Sequence, residues 1–161
     1  MRSLFRAVLA LALAPVIAHT LRAEEKPAEA EIIVIHPTAT TETKQGLPNF
    51  VGISGKNAGT KHISMNKVII PPGKSAKAHI HKGYESVVYI IKGRVKTLYG
   101  EGLKKSVINE AGDFLYIPAD LPHKPINLSD TEAAEAIVAR TDPNEQESVE
   151  QIAEPEGAEK K

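Results

Sequence analysis

The sequence predicts an all-β protein, a small antiparallel sandwich or barrel, and three observations carry that expectation. Short runs rich in β-branched and aromatic residues recur along the chain, as in residues 86–91 (SVVYII). Turn residues punctuate them at close spacing, as at Pro71-Pro72-Gly73, Lys92-Gly93 and Gly100-Glu101-Gly102. A pair of histidines, His79 and His81, lies in such a stretch with one residue between them. On a strand that spacing sends both rings to one face, because side chains alternate with period two. At 161 residues the chain has the length of one domain and enough of it to bury a core.

Taken in order, the chain opens on an export-like segment. Arg2 and Arg6 precede an apolar stretch over residues 7–18 that is too short for a comfortable membrane span. Cleavage is expected after Ala23, with Ala18 as the alternative, so residues 1–23 read as a signal peptide. Residues 24–30 (EEKPAEA) read as a linker and residues 31–143 as the β domain. Strand candidates within it are residues 32–35, residues 50–53, residues 62–70 and the run at residues 86–91. Further candidates are residues 94–99, 106–108 and 114–117, the segment around Ile126, and residues 136–139. That amounts to about nine or ten short strands. Pro143 breaks the pattern, and residues 144–152 are expected to form a short helix, with Asn144 as its cap and Val149 and Ile152 on one side. A charged tail closes the chain, so residues 144–161 read as short helix and tail.

Composition narrows the partners. No cysteine is present, which excludes disulfides and thiolate ligands and leaves packing to hold the fold. Basic and acidic residues number 20 each; removal of the leader takes Arg2, Arg6 and Arg22 and leaves a slightly acidic protein. Aromatic residues are 4% of the chain and no basic patch interleaves with them, which argues against nucleic acid. A soluble periplasmic or secreted protein is expected, with no membrane association after cleavage.

The chemistry-bearing residues are His79, His81, Glu85 and His123. Three imidazoles and a carboxylate suit a divalent transition metal such as Mn, Fe, Ni, Cu or Zn, and suit Ca or Mg poorly. Imidazole ligates only when neutral, so an ordinary histidine would lose metal below a pH of about 6. His36 and His62 stand alone and read as surface or loop residues. Tyr84, Tyr89 and Tyr116 could wall a pocket, although strand aromatics more often pack on a sheet face. Lys92, Arg94 and Lys96 alternate along a strand and read as a solvated outer face.

The stretch Gly73-x5-His79-x-His81-x3-Glu85, followed by Gly93, resembles the first motif of the cupin superfamily. The stretch Gly112-x5-Pro118-x-Asp120-x2-His123-x3-Asn127 resembles the second, with Asp120 where the family often has glycine. The resemblance spans about residues 63–141 and implies an antiparallel jelly-roll barrel with the metal inside. Carried over by position, it makes His79, His81, Glu85 and His123 the ligands. One departure bears on Glu85: the spacing to Gly93 is one residue longer than the family's usual pattern. Counting back from Gly93 therefore puts Ser86 in the acid's position, while counting forward from His81 puts Glu85 there. If Ser86 faces inward, so do Val88 and Ile90, and the site has three histidines alone.

The resemblance implies an oxygenase- or decarboxylase-type enzyme acting on a small organic acid or phenolic compound. A non-catalytic protein that captures metal or a small ligand is the alternative, and a barrel merely stapled by its metal is a third reading. Cupins commonly pair through edge strands, which implies a homodimer.

Overall fold

Period-two burial turns the apolar runs into strands, and the turn residues close them. The computed structural model describes residues 30–144, 146 and 148–155, of which those from Ile33 onward belong to one compact unit. In chain order the elements are β1 (Thr41–Glu42), β2 (Pro48–Ile53), a single helical turn α1 (Gly55–Ala58), β3 (Ser64–Ile70) and β4 (His79–His81). There follow β5 (Ser86–Lys92), β6 (Arg94–Tyr99), a 3-10 turn (Glu101–Leu103), β7 (Lys105–Glu110) and β8 (Phe114–Ile117). The last strands are β9 (His123–Asn127), β10 (Ala134–Arg140) and β11 (Val149–Gln151).

Two antiparallel sheets result, ordered β1-β2-β3-β10-β5-β8 and β11-β4-β9-β6-β7. From β3 onward the chain crosses between the sheets at every connection except β6 to β7. This is the jelly-roll arrangement that the motifs implied. Strand β5 shows how pattern becomes architecture: Ser86 and Ile90 are buried, while Val87, Tyr89 and Ile91 face outward. Ile126 on β9 is wholly buried and packs with Ala78, Leu98 and Leu103. Burying one such side chain stabilises the fold by about 1.5–3 kcal/mol.

Gly93, between β5 and β6, carries the turn that takes the chain from one sheet to the other. Its φ is +89°, and an added Cβ would lie 2.9 Å from the Ala134 Cα. Both reasons for a glycine, unusual φ and close packing, apply at this one position. Asp120 adopts φ 61°, a left-handed conformation that aspartate tolerates better than most side chains. That accounts for an aspartate where the family often has glycine. Its Oδ1 also accepts a hydrogen bond from the Gly83 N–H at 3.0 Å, tying two loops beside β4 together.

Two expectations are corrected. Residues 32–35, expected as a strand, carry no regular structure, and Ile32 and Val34 are exposed. An apolar run becomes a strand only where another strand faces its N–H and C=O groups, and among the described residues no pairing involves this run. The helix expected over residues 144–152 is absent from the described part of that segment. Val149–Gln151 instead forms β11, paired antiparallel with β4, Val149 opposite His81 and Gln151 opposite His79. The reason is tertiary: β4 has β9 on one side, and β11 satisfies the backbone groups along its other edge. Val149 is buried, and Ile152 packs against the cluster around Ile126. The expected signal peptide, most of the linker, and the tail from residue 156 lie outside the described residues.

Candidate metal centre

Strand β4 has the burial pattern that its spacing demands, with His79 and His81 buried and Ile80 between them only half-buried. His123 opens β9 and stands directly across the ladder from His79. Register and alternation therefore bring three rings from two strands to one point. Ring centroids are 5.0 Å apart for His79 and His81, 4.2 Å for His79 and His123, and 5.3 Å for His81 and His123. One nitrogen from each ring lies within 4.8 Å of the others.

The outer hydrogen bonds set the tautomers of two rings. His79 Nδ1–H donates to the Lys77 carbonyl at 2.7 Å, and His123 Nδ1–H donates to the Leu121 carbonyl at 2.8 Å. Each partner lies two residues upstream of its ring. With the proton held at Nδ1, the Nε2 lone pair is left for the centre, the arrangement that orients metal-ligating histidines. His81 differs: its Nε2 receives a hydrogen bond from Arg140 Nη2 at 3.1 Å, and its Nδ1 is buried without a hydrogen-bond partner among the described residues.

Burial keeps all three rings neutral. It pushes His79 down to about 3, with a further push from His123 and Arg140 and an opposing pull from the Lys77 carbonyl. Burial is also the main cause holding His81 far below the ordinary imidazole range, with the Arg140 guanidinium next. His123 is lowered by burial, against the Leu121 carbonyl and with the help of Arg140. Neutral nitrogen donors, oriented from behind and packed together, fit a divalent transition metal. His79, His81 and His123 would hold it.

Glu85, expected as a fourth ligand, stands apart from this cluster. It is exposed, and its carboxylate accepts a hydrogen bond from the Tyr116 hydroxyl. Ser86 occupies the inward position instead, paired with Arg140 across the β5–β10 ladder. Once Ser86 faces in, period two turns Glu85 out. Val88 and Ile90 follow Ser86 into the pocket lining, as that alternative required. Tyr89 and Tyr116 lie on the outer face, Tyr84 is half-buried beyond the end of β4, and none of the three lines the pocket. Arg94 pairs with Glu110 at 3.4 Å on an exposed surface, as expected of a solvated face.

Arg140 is the site residue that motif spacing missed. It is buried at the end of β10, where Ala134, Ala136, Val138 and Arg140 all line the pocket. Its Nε donates to Ser86 Oγ at 3.0 Å. The signal was present: period two carried one residue past Ala139 puts a cation on the inner face. Asn127, which ends the second motif, is structural. Its amide nitrogen donates to the carbonyls of Ile70, Pro71 and Glu132, and its oxygen accepts from the Ser129 N–H.

The histidines line a cavity of about 90 Å³ whose walls are mainly aliphatic, among them Leu47, Val68, Ile70, Val88, Ile90 and Leu115. That is room for a few waters or for one small organic molecule.

Comparison with known proteins agrees with this geometry. The "Cupin domain" family model matches residues 66–140. No curated protein matches the sequence. The oxalate decarboxylase of Lactobacillus farciminis, solved as a formate complex, superposes with a TM-score of 0.59 and 22% identity, over 70% of this chain and 33% of that one. A recombinant oxalate oxidase in complex with glycolate gives a TM-score of 0.54 at 27% identity, over 63% of this chain and 54% of that one. The polyketide cyclase RemF of Streptomyces resistomycificus gives 0.61 at 17% identity, over 78% and 89%. The chain thus spans a third to a little over half of the two oxalate enzymes' lengths.

Proposed function

Since the chain belongs to the cupin superfamily, we propose that it binds one divalent transition metal on His79, His81 and His123 and acts on a small organic acid or phenolic compound. Three neutral imidazoles in the lining of a mainly apolar cavity carry this reading. The bound metal would supply a Lewis-acid or oxygen-activating centre. The protein's own groups shape the ligand's surroundings: the cavity walls are mainly aliphatic, and the Arg140 guanidinium lies beside the His81 ring. The oxalate decarboxylase and oxalate oxidase structures, solved with formate and glycolate, favour carboxylates as the ligand class and an oxygenase- or decarboxylase-type reaction.

A non-catalytic metal- or ligand-binding protein is the second reading, and one observation favours it. Glu135 is the single carboxylate among the described pocket residues, and it pairs with Lys67 at 3.2 Å. Among the described residues no unpaired carboxylate is thereby left in the pocket to act as a general base. Elemental analysis of protein purified from its native compartment, followed by assays of oxygen uptake and carbon dioxide release on small carboxylic acids and phenols, separates the two readings. Metal at one ion per chain with turnover supports the enzyme. Metal without turnover supports the binding protein, and a metal-free native protein would sink the enzyme and leave of the second reading only the capture of a small ligand. Export to the periplasm or medium and homodimerisation belong to the same proposal; they rest on the leader-like residues 1–23 and on family resemblance.

A further inference from the structure

The inner face of the second sheet continues beyond the histidines along β6 and β7. His123 stands opposite His79 on β4 and opposite Tyr99 on β6. The next residue of β6 on that face is Thr97, about 7 Å along the strand, opposite Pro125. After it comes Val95, opposite Asn109 on β7. Directly opposed residues share a face, and Thr97 and Asn109 both line the cavity. Asn109 is the one buried residue of β7, at 3% exposure. Its side chain leans back toward Thr97, whose hydroxyl donates to Asn109 Oδ1 at 3.3 Å. With Oδ1 taken, Nδ2 is left over, buried without a hydrogen-bond partner among the described residues. Gln45, between β1 and β2, lines the same cavity, and its Oε1 is likewise buried and without such a partner. Its main-chain carbonyl accepts from the Lys77 N–H at 2.9 Å, two residues before His79.

We propose that Asn109, held by Thr97, is a specificity-determining residue: its Nδ2 donates to the far oxygen of a small hydroxy acid whose carboxylate end meets the metal. The inference rests on the three-histidine site and the carboxylate reading above, and deepens them by naming a second functional group on the ligand. The wall around these residues is mainly aliphatic, so packing alone does not call for an amide there. A leucine branches in the same way and would leave no donor unpaired. Buried amide groups without partners are rare in folded proteins, because leaving one unmade costs stability. A ligand that brings the missing partner recovers that cost on binding. Nδ2 calls for an acceptor and Gln45 Oε1 for a donor, and a hydroxylated ligand carries both kinds of group. The step from the histidine row to Thr97, about 7 Å, suits a carboxylate and a hydroxyl joined by a short carbon chain. A molecule of that size matches a cavity of about 90 Å³.

The test is calorimetric titration of the zinc-loaded full chain with 3-hydroxypropionate and 4-hydroxybutyrate. Each is compared with the acid in which a methyl group replaces the hydroxyl, butyrate and pentanoate respectively. The affinity ratio within a pair is the readout, because a variant that only loosens the fold weakens both members equally. The wild type should bind at least one hydroxy acid about tenfold more tightly than its methyl counterpart, as one buried hydrogen bond allows. Asn109→Leu should keep one zinc per chain and bind the two members of each pair equally. Thr97→Val removes the hydroxyl that holds the amide and should shrink the ratio, which carries the test if Asn109→Leu does not fold. Equal binding within both pairs by the wild type, as when a resident water alone satisfies Nδ2, would overturn the proposal. So would an undiminished ratio in either variant. A wild type that binds zinc but none of the four acids would overturn the carboxylate reading, and one that binds no zinc the metal reading, each taking this inference with it.

Discussion

The two halves of the histidine cluster are held in different ways. His79 and His123 face each other across a ladder, and each ring is backed by a main-chain carbonyl two residues upstream. His81 lies on the same strand as His79, yet its partner is a side chain from the other sheet, Arg140 on β10. A main-chain carbonyl is fixed by the fold and leaves the opposite nitrogen free for an ion. A side-chain cation can rotate away, and until it does it claims the nitrogen that an ion needs. One half of the site is therefore pre-organised and the other is conditional.

The largest expected effect comes from removing a ring from either half. His79→Ala and His123→Ala should each abolish stoichiometric metal, and His81→Ala should do the same. Losing an outer partner alone costs about 10–100-fold in affinity, and losing a ligand costs more. Elemental analysis or zinc titration reads this directly, and full occupancy in any of the three would contradict the cluster.

A second test probes what both halves share, burial. Each ring is held below the imidazole value of 6.5 in the folded chain. The unfolded chain binds protons first, so the stabilising contribution is complete above about 6.5 and is lost as pH falls toward the folded value, about 3 for His79. The metal-free protein should lose up to about 1.4 kcal/mol per pH unit per ring across that window, seen as a falling thermal midpoint. His79→Gln should flatten the slope, and a midpoint constant from pH 7 to 5 would refute neutral buried rings. Burial also revises the simple expectation for metal. An ordinary imidazole releases it below about 6, whereas these rings should retain it well below that as long as the fold survives.

The smallest effect is expected at Glu85. Glu85→Ala should leave metal at one ion per chain and shift stability by no more than about 0.5 kcal/mol, as surface changes usually do. A loss of metal would return Glu85 to the ligand set and undo the inward assignment of Ser86.

The site was legible in the sequence to the extent that it depended on local periodicity. His79 and His81 share a face because the spacing between them matches the strand repeat. The glycine and proline turns bounded most of the strands. Glu85 shows where such counting ends. Two counts disagreed by one residue, and only the register of β5 against β10, Ser86 opposite Arg140, decided between them. Arg140 lay one residue past the expected strand, where alternation turns it inward but no motif ties it to the histidines. Its role appears only once β10 lies beside β5 and the pocket closes around it.

The C-terminal segment gives the same lesson on a larger scale. Val149 and Ile152 are compatible with one side of a helical turn, yet the backbone there pairs with β4. The sequence by itself determined that this chain forms short strands and carries two histidines on one strand face, because those properties follow from side-chain alternation over a few residues. Only the tertiary structure decided which strands became neighbours, whether Glu85 or Ser86 entered the pocket, and that a guanidinium would reach His81. Those choices depend on hydrogen bonds between segments far apart in the chain, and no local pattern encodes them.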